Sequence, residues 1–175
     1  LDLYRRLPEV RVTDLLLEVD DEIGFTEAFT HLRTGVPCKD RIGLLNVLLS
    51  EGLNLGLSKM AGATNTHDFF QLSRLSRWHV ESEAMARALA TVIEGQSRLP
   101  MARFWGGGQS ASSDGQFFPT TRQGEAMNLI NANYGHEPGL KAYTHVSDQL
   151  GPFATQTIPA TANAAPYILD GLLLT

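Results

Sequence analysis

Ser112-Ser113-Asp114-Gly115-Gln116 sets one carboxylate among small polar residues, just ahead of an aromatic pair, Phe117 and Phe118. Asp114 is the one acid between Glu94 and Glu125. No negative neighbour in the chain competes with it, and no adjacent cation neutralises it. A hard divalent cation takes oxygen ligands of this kind. The same five residues carry a plainer reading. Asp-Gly is a strong turn dipeptide, and aspartate ahead of glycine ordinarily closes a hairpin. Local chemistry favours the turn.

The sequence around this stretch changes character at Pro100. Beyond it, Gly, Ser, Thr and aromatic residues replace Leu and Ala. Lys141-Ala-Tyr-Thr-His-Val146 is rich in β-forming residues. Phe153-Ala-Thr-Gln-Thr-Ile158, apolar at both ends with β-forming Thr between, reads as a half-buried strand. Residues 160–174 return to helical character, with Tyr167, Ile168, Leu169, Leu172 and Leu173 apolar, Thr161 or Asn163 as a cap and Pro166 in the first turn. Gly106-Gly107-Gly108 lacks the spacing of a dinucleotide or phosphate-binding fingerprint and reads as a flexible approach to the Asp114 strand.

Residues 13–99 read as helices. Thr13 or Asp14 caps a helix over Leu15–Val19 that stops at Gly24. Phe25, Phe29 and Leu32 fall on one helical face. Residues 37–40 open a longer helix with Ile42, Leu44, Leu45, Leu48, Leu49 and Leu53 inward. Asp68 caps a helix reaching Trp78. Glu81 to Glu94 is an Ala-rich helix with Met85, Leu89, Val92 and Ile93 on one side, ended by Gly95 and Pro100. The order is helices, then three strands, then a helix, which makes the class α+β.

Composition narrows the function classes. The chain has 175 residues, 43% of them hydrophobic, with 14 basic and 19 acidic groups and a net charge of -5. That balance argues against a free-standing nucleic-acid binder, whose footprint is basic. Only three cations (Arg103, Arg122, Lys141) follow residue 100; they are candidate phosphate contacts, or scattered surface charge. So sparse a charge suits a largely buried sheet. No apolar run has the length of a membrane span, and no signal-peptide pattern opens the chain. The lone Cys38 forms no internal disulfide, which fits a reducing compartment. Both ends read as cut from something longer.

Other candidate groups are weaker. None of His31, His67, His79, His136 and His145 pair at metal-ligand spacing. His79 after Trp78 reads as a packing residue. Asp148 follows His145 by three residues, an offset that puts them on opposite faces of a strand and works against a dyad. Ser112 and Ser113 lack a nucleophile elbow, and nothing near Cys38 supplies a base.

Several blocks taken together resemble one family. Residues 105–117, Trp-Gly-Gly-Gly-Gln-Ser-Ala-Ser-Ser-Asp-Gly-Gln-Phe, look like the first catalytic strand of the Tn-three-type transposases, the large replicative transposases of class II bacterial transposons. Residues 143–149, Tyr-Thr-His-Val-Ser-Asp-Gln, with Pro152-Phe153 resemble the strand pair that follows, and residues 167–173 the next helix. Residues 12–19, Gly24-Phe25-Thr26, residues 29–32, residues 54–57, Lys59-Met60-Ala61 and Trp78-His79 look like the helical lead-in. The match covers nearly the whole chain in order.

The resemblance implies a helical pre-catalytic region over 1–100 and, over 101–175, the first three antiparallel strands and first helix of an incomplete RNase H-like fold. It implies an Asp-Asp-Glu triad whose first acid is Asp114, a catalytic residue and metal ligand. It implies Mg²⁺ or Mn²⁺ as cofactor in the full-length enzyme, transposon-end and target DNA as partners, a homodimer or higher oligomer, no membrane, and a place in the bacterial cytoplasm. The second Asp and the Glu would lie beyond Thr175, so the segment alone is expected to be inactive. The family usually carries an acid at the position of Gly107 and a His where Ala154 stands; both differ here. A different class of function is also open: a helical interaction or dimerisation remnant of a transposase.

Overall fold

A computed structural model describes residues 4–6, 8–120, 129–130 and 138–173. The chain divides into two compact units, Leu1–Val92 and Ile93–Thr175.

The first unit is helical. A single 3-10 turn, Tyr4–Arg6, precedes α1 (Val12–Ile23). α1 starts ahead of Thr13 and Asp14, so neither caps it; Asp14 lies in the first turn instead, where the helix dipole favours a negative charge. Gly24 closes α1 in the left-handed region, φ 67°, a conformation glycine adopts without steric cost. The expected helix through Phe25, Phe29 and Leu32 is instead a 3-10 turn, Phe25–Ala28, followed by an irregular segment. Its cause is Asp20. The buried carboxylate accepts from Thr26 N–H at 2.8 Å and Thr26 Oγ1 at 2.9 Å, folding the chain back within six residues. Phe25 and Phe29 are still buried, while Leu32 is exposed.

α2 (Arg41–Gly52) is capped by Asp40, whose Oδ1 accepts from Gly43 N–H at 3.0 Å. Leu44, Leu45 and Val47 are buried, but Ile42 and Leu53, both expected inward, are exposed. The helix is flanked by two apolar clusters. One holds Phe25, Phe29, Leu44, Leu45, Ala84 and Ala88; the other holds Val47, Met60, Leu72 and Leu75. Facing both uses adjacent positions rather than a single stripe. α3 spans Leu57–Ala63 and α4 spans Phe69–His79. α4 opens with the capping box its sequence announces: Asp68 Oδ1 accepts from Gln71 N–H at 2.8 Å and Gln71 Oε1 from Asp68 N–H at 2.9 Å. In α5 (Ser82–Ser97) the small Ala84 and Ala88 are the buried pair and Met85 is exposed. Gly95 lies inside α5, whose last residues pass the end of the first unit at Val92, and Pro100, rather than ending a helix, opens α6 (Pro100–Trp105) of the second unit at its first position, where its missing N–H costs no hydrogen bond.

The second unit is built on antiparallel strands: β1 (Ala111–Pro119), a short β2 (Leu129–Ile130), β3 (Pro138–Ser147) and β4 (Pro152–Pro159), with α7 (Tyr167–Leu173) after them. β3 is central. It pairs with β1 on one side and with β4, and at its start β2, on the other. The protein is thus α+β. The sparse charge does not reflect a sheet buried on both faces: β3 alternates between half-buried and buried residues from Pro138 to Val146, and most of β1 is exposed. α7 begins later than expected, because Asn163 Oδ1 accepts from Ala165 N–H in a turn ahead of Pro166. Among the described residues no helix is long and apolar enough to cross a membrane.

Candidate functional site

The two-residue period of a strand sorts the sheet into two faces. Ser113 and Gly115 on β1, Lys141, Tyr143 and His145 on β3, and Ala154 and Ile158 on β4 share the covered face. Asp114 on β1, Thr144 on β3 and Thr155 on β4 lie abreast on the open one. Asp114 is therefore a mid-strand residue, and Asp114-Gly115 is no hairpin turn: Gly115 stands opposite Tyr143, where a Cβ would touch that ring at 3.4 Å.

Asp114 is exposed. Its Oδ1 accepts from Gly115 N–H at 2.8 Å, which leaves Oδ2 to solvent, and it has no ion pair among the described residues. Beside it, the Thr144 and Thr155 hydroxyls are 3.2 Å apart. A mid-strand mount holds a side chain more rigidly than a loop does. Two hard oxygens on an open face fit a divalent cation as one ligand of its shell. Among the described residues no cluster of three or more His, Cys, Asp or Glu side chains completes that shell.

The covered face engages most of its polar groups internally, although the buried His145 Nε2 has no hydrogen-bond partner among the described residues. His145 is fully buried, with Nδ1 2.7 Å from Ser113 Oγ. Its ring meets Tyr143 edge-on at 5.1 Å and leans on Phe153 at 5.9 Å. Lys141 is no phosphate contact: it is buried, and its Nζ donates to the Ala162 carbonyl at 2.9 Å. Arg103 is exposed on α6. Arg122 and His136 lie outside the described residues.

His145 and Asp148 form no dyad, since Asp148 does other work. Its Oδ1 accepts from Gly108 N–H at 2.8 Å and its Oδ2 from Ser110 Oγ at 3.1 Å, while its own N–H donates to the Ser110 carbonyl at 2.9 Å. Burial pushes the carboxyl pKa up, but the bonds from Gly108, Ser110 and Gln109 outweigh it and hold the value below the ordinary 3.8. The glycine run is thereby clasped rather than flexible. A Cβ on Gly106 would overlap the Asp148 carboxyl, and Gly108 sits at φ 74°. The clasp ends where β1 begins, with Ala111 opposite Ser147. It thus fixes the register that puts Asp114 on the open face, because a slip of one residue would turn it inward. The signal for Asp148 lay in the glycines: a run without side chains leaves room for a carboxylate to reach backbone N–H groups.

A one-faced antiparallel sheet presenting a lone carboxylate from mid-strand, in one chain with a helical unit, defines an α+β protein whose candidate site is acidic and open. The chain matches the family described as the Tn3 transposase DDE domain over residues 14–175, and it belongs to that family. The transposase for transposon Tn501 from Pseudomonas aeruginosa is 42% identical over 167 residues, 95% of this chain. Those for Tn3926 and Tn2501 from Escherichia coli are 43% identical over 167 residues and 40% identical over 176. The chain spans only 17% of the length of each of these relatives.

Proposed function

We propose that this chain is a segment of a DNA transposase: the helical lead-in over 1–100 and the front of an RNase H-like catalytic domain over 101–175, with Asp114 as the first acid of an Asp-Asp-Glu triad. Family membership and the transposase relatives support the enzyme class. The single observation that carries the site is the placement of Asp114 mid-strand on the open face of the sheet, with no cation partner among the described residues. The side-by-side order of three antiparallel strands followed by a helix supports the RNase H-like reading.

The substrate is DNA, first at the transposon ends and then at the target. Hydrolysis of a phosphodiester at each end frees a 3′-hydroxyl, and that hydroxyl attacks target DNA, both steps being in-line displacements governed by positioning and charge stabilisation. Asp114 would hold Mg²⁺ or Mn²⁺ together with acids from elsewhere in the longer protein, and the bound ions supply charge neutralisation at the phosphate and an acidified water. Gly115 N–H fixes one carboxylate oxygen and leaves the other outward. The Asp148 clasp keeps β1 in register. With one acid of the three, the segment alone is inactive. The longer protein works in the bacterial cytoplasm as a homodimer or higher oligomer.

The test uses a longer transposase that contains this chain. Asp114→Asn is expected to lower Mg²⁺-dependent end cleavage by about a thousandfold or more. Cleavage within about tenfold of the parent would remove Asp114 from the triad.

The interaction reading has one observation of its own. The edge-on ring pairs Phe69–Phe70 and Phe104–Trp105 are exposed, Phe70 at 80% and Phe104 at 78%. If they join copies, co-expressing the chain with an intact transposase lowers transposition, and Phe70→Ser with Phe104→Ser relieves the effect.

A further inference from the structure

The helical unit contains a cleft of about 550 Å³ that the catalytic reading leaves without a role. That volume is within the range of roughly 300–1,000 Å³ typical of small-ligand sites. Along it, the His31 imidazole stacks on the Trp78 indole, centroids 5.1 Å apart and planes within 9°. His79, also lining the cleft, meets the His31 ring edge-on at 5.3 Å.

Hydrogen bonds to the backbone assign what each imidazole offers. His31 Nδ1 accepts from Arg33 N–H at 3.2 Å, so in the neutral ring the proton sits on Nε2, a donor. His79 Nδ1 lies 3.2 Å from the Phe29 carbonyl oxygen. A carbonyl only accepts, so Nδ1 carries the proton and Nε2 is an acceptor. Neither Nε2 has a partner among the described residues. The cleft therefore holds a stacking platform with the His79 Nε2 acceptor set nearly perpendicular beside it.

Its charge is cationic. Arg74 and Lys39 line the cleft, are exposed, and form no ion pair among the described residues. The one lining acid, Asp40, already accepts from Gly43 N–H through Oδ1, and its Oδ2 is 2.9 Å from His67 Nε2. Cys38, on the wall, is held protonated because burial pushes its thiol pKa up, so the wall adds no thiolate.

We propose that this cleft binds one unpaired nucleotide of a DNA strand, its base against the His31–Trp78 stack, its polar edge on His79 Nε2 and its phosphate on Arg74 and Lys39. Aromatic stacking with flanking cations is how single strands are held, whereas bases inside a duplex already have both faces covered. The choice of DNA over a free nucleotide rests on the transposase reading.

Trp105→Phe leaves Trp78 as the sole tryptophan of the chain. In metal-free buffer, a single-stranded 12-mer oligodeoxynucleotide is expected to quench Trp78 emission. The same 12-mer annealed to its complement should bind at least about tenfold more weakly, and dAMP alone weaker still. Arg74→Glu should weaken the single-strand complex about tenfold without changing the melting curve, and Arg74→Gln should lower the slope of log affinity against log salt by about 0.7. His79→Ala should weaken the complex and leave that slope alone. Absence of quenching, duplex binding as tight as single strand, or equal affinity in the parent and Arg74→Glu would each overturn the proposal. Binding of dAMP as tight as the 12-mer would make this a free-nucleotide site and overturn it as a strand site. Asp114→Asn should leave the titration unchanged, so the catalytic reading and this one fail separately.

Discussion

The two faces of the sheet use the same chemical vocabulary to opposite ends. On the covered face, imidazole, hydroxyl and ammonium groups meet one another and the backbone: His145 Nδ1 with Ser113, and Lys141 with the Ala162 carbonyl, while His145 Nε2 stays buried without a partner among the described residues. On the open face, one residue away along β1, Asp114 keeps an oxygen to solvent. A buried polar group without partners is costly, and on the covered face His145 Nε2 bears that cost while Nδ1 and the Lys141 ammonium are satisfied. An exposed carboxylate carries no such cost and can wait for a partner. Polarity alone therefore does not mark a site; the face on which it stands does.

That contrast breaks most sharply at neighbouring residues. Asp114→Asn should abolish end cleavage in the longer transposase and leave the thermal midpoint of this chain unmoved, since surface changes away from packed features alter stability little. His145→Ala should do the reverse to the fold. It empties a fully buried ring site and orphans the Ser113 hydroxyl, at a cost of about 2–4 kcal/mol, read as an earlier midpoint in urea with a similar slope. If Asp114→Asn melted the sheet, or His145→Ala left it intact, the division between holding face and working face would be wrong.

How far the sequence reveals this depends on the range of each interaction. Signals confined to a few residues were readable: the Asp68–Gln71 capping box, the left-handed stop at Gly24, and the strand character of 141–146 and 153–158. Features set by side-chain partners that the local pattern does not encode were not. Asp20 turns the Phe25 segment out of a helix through bonds to Thr26 while also meeting Arg41 at 2.6 Å, and no periodicity encodes that. Ala84 and Ala88 are buried in place of Met85, in one cluster with Phe25, Phe29, Leu44 and Leu45, which a hydrophobicity count along α5 passes over. Asp114 was legible as an unusual lone acid, yet its own dipeptide argued for a turn. Only the pairing with Thr144 across β3 places it mid-strand. The clasp of Asp148 on Gly108, forty residues apart, had no local signal beyond the glycines themselves.

The clasp sharpens the contrast by testing what holds the open face in register. The Asp148 carboxyl pKa is lowered in the folded chain, so its contribution is present above the ordinary value of 3.8 and is lost as pH falls through the depressed folded value. Amide protons of residues 108–113 should be well protected near pH 7 in the parent chain, and protected less in Asp148→Asn. Once the carboxyl is protonated, the two should converge. A constant gap at every pH would mean the charge of Asp148 is irrelevant to β1.

The smallest effect is expected at the other end of the same turn. Ser147 N–H donates to the Gly151 carbonyl at 2.9 Å, and between them Leu150 is exposed at φ 65°. A leucine there meets its own backbone in a conformation that costs an L-residue roughly 1–2 kcal/mol. Glycine relieves that strain but frees the unfolded chain, which returns part of the gain. Leu150→Gly should therefore stabilise the second unit by no more than about 1 kcal/mol, seen as a slightly later urea midpoint. It should leave Asp114 and its protection pattern untouched, because Asp148, at the start of the turn, holds Gly108 and Ser110 through bonds that do not involve Leu150. A destabilised variant would show that the exposed Leu150 side chain is held by packing that outweighs the strain of its backbone.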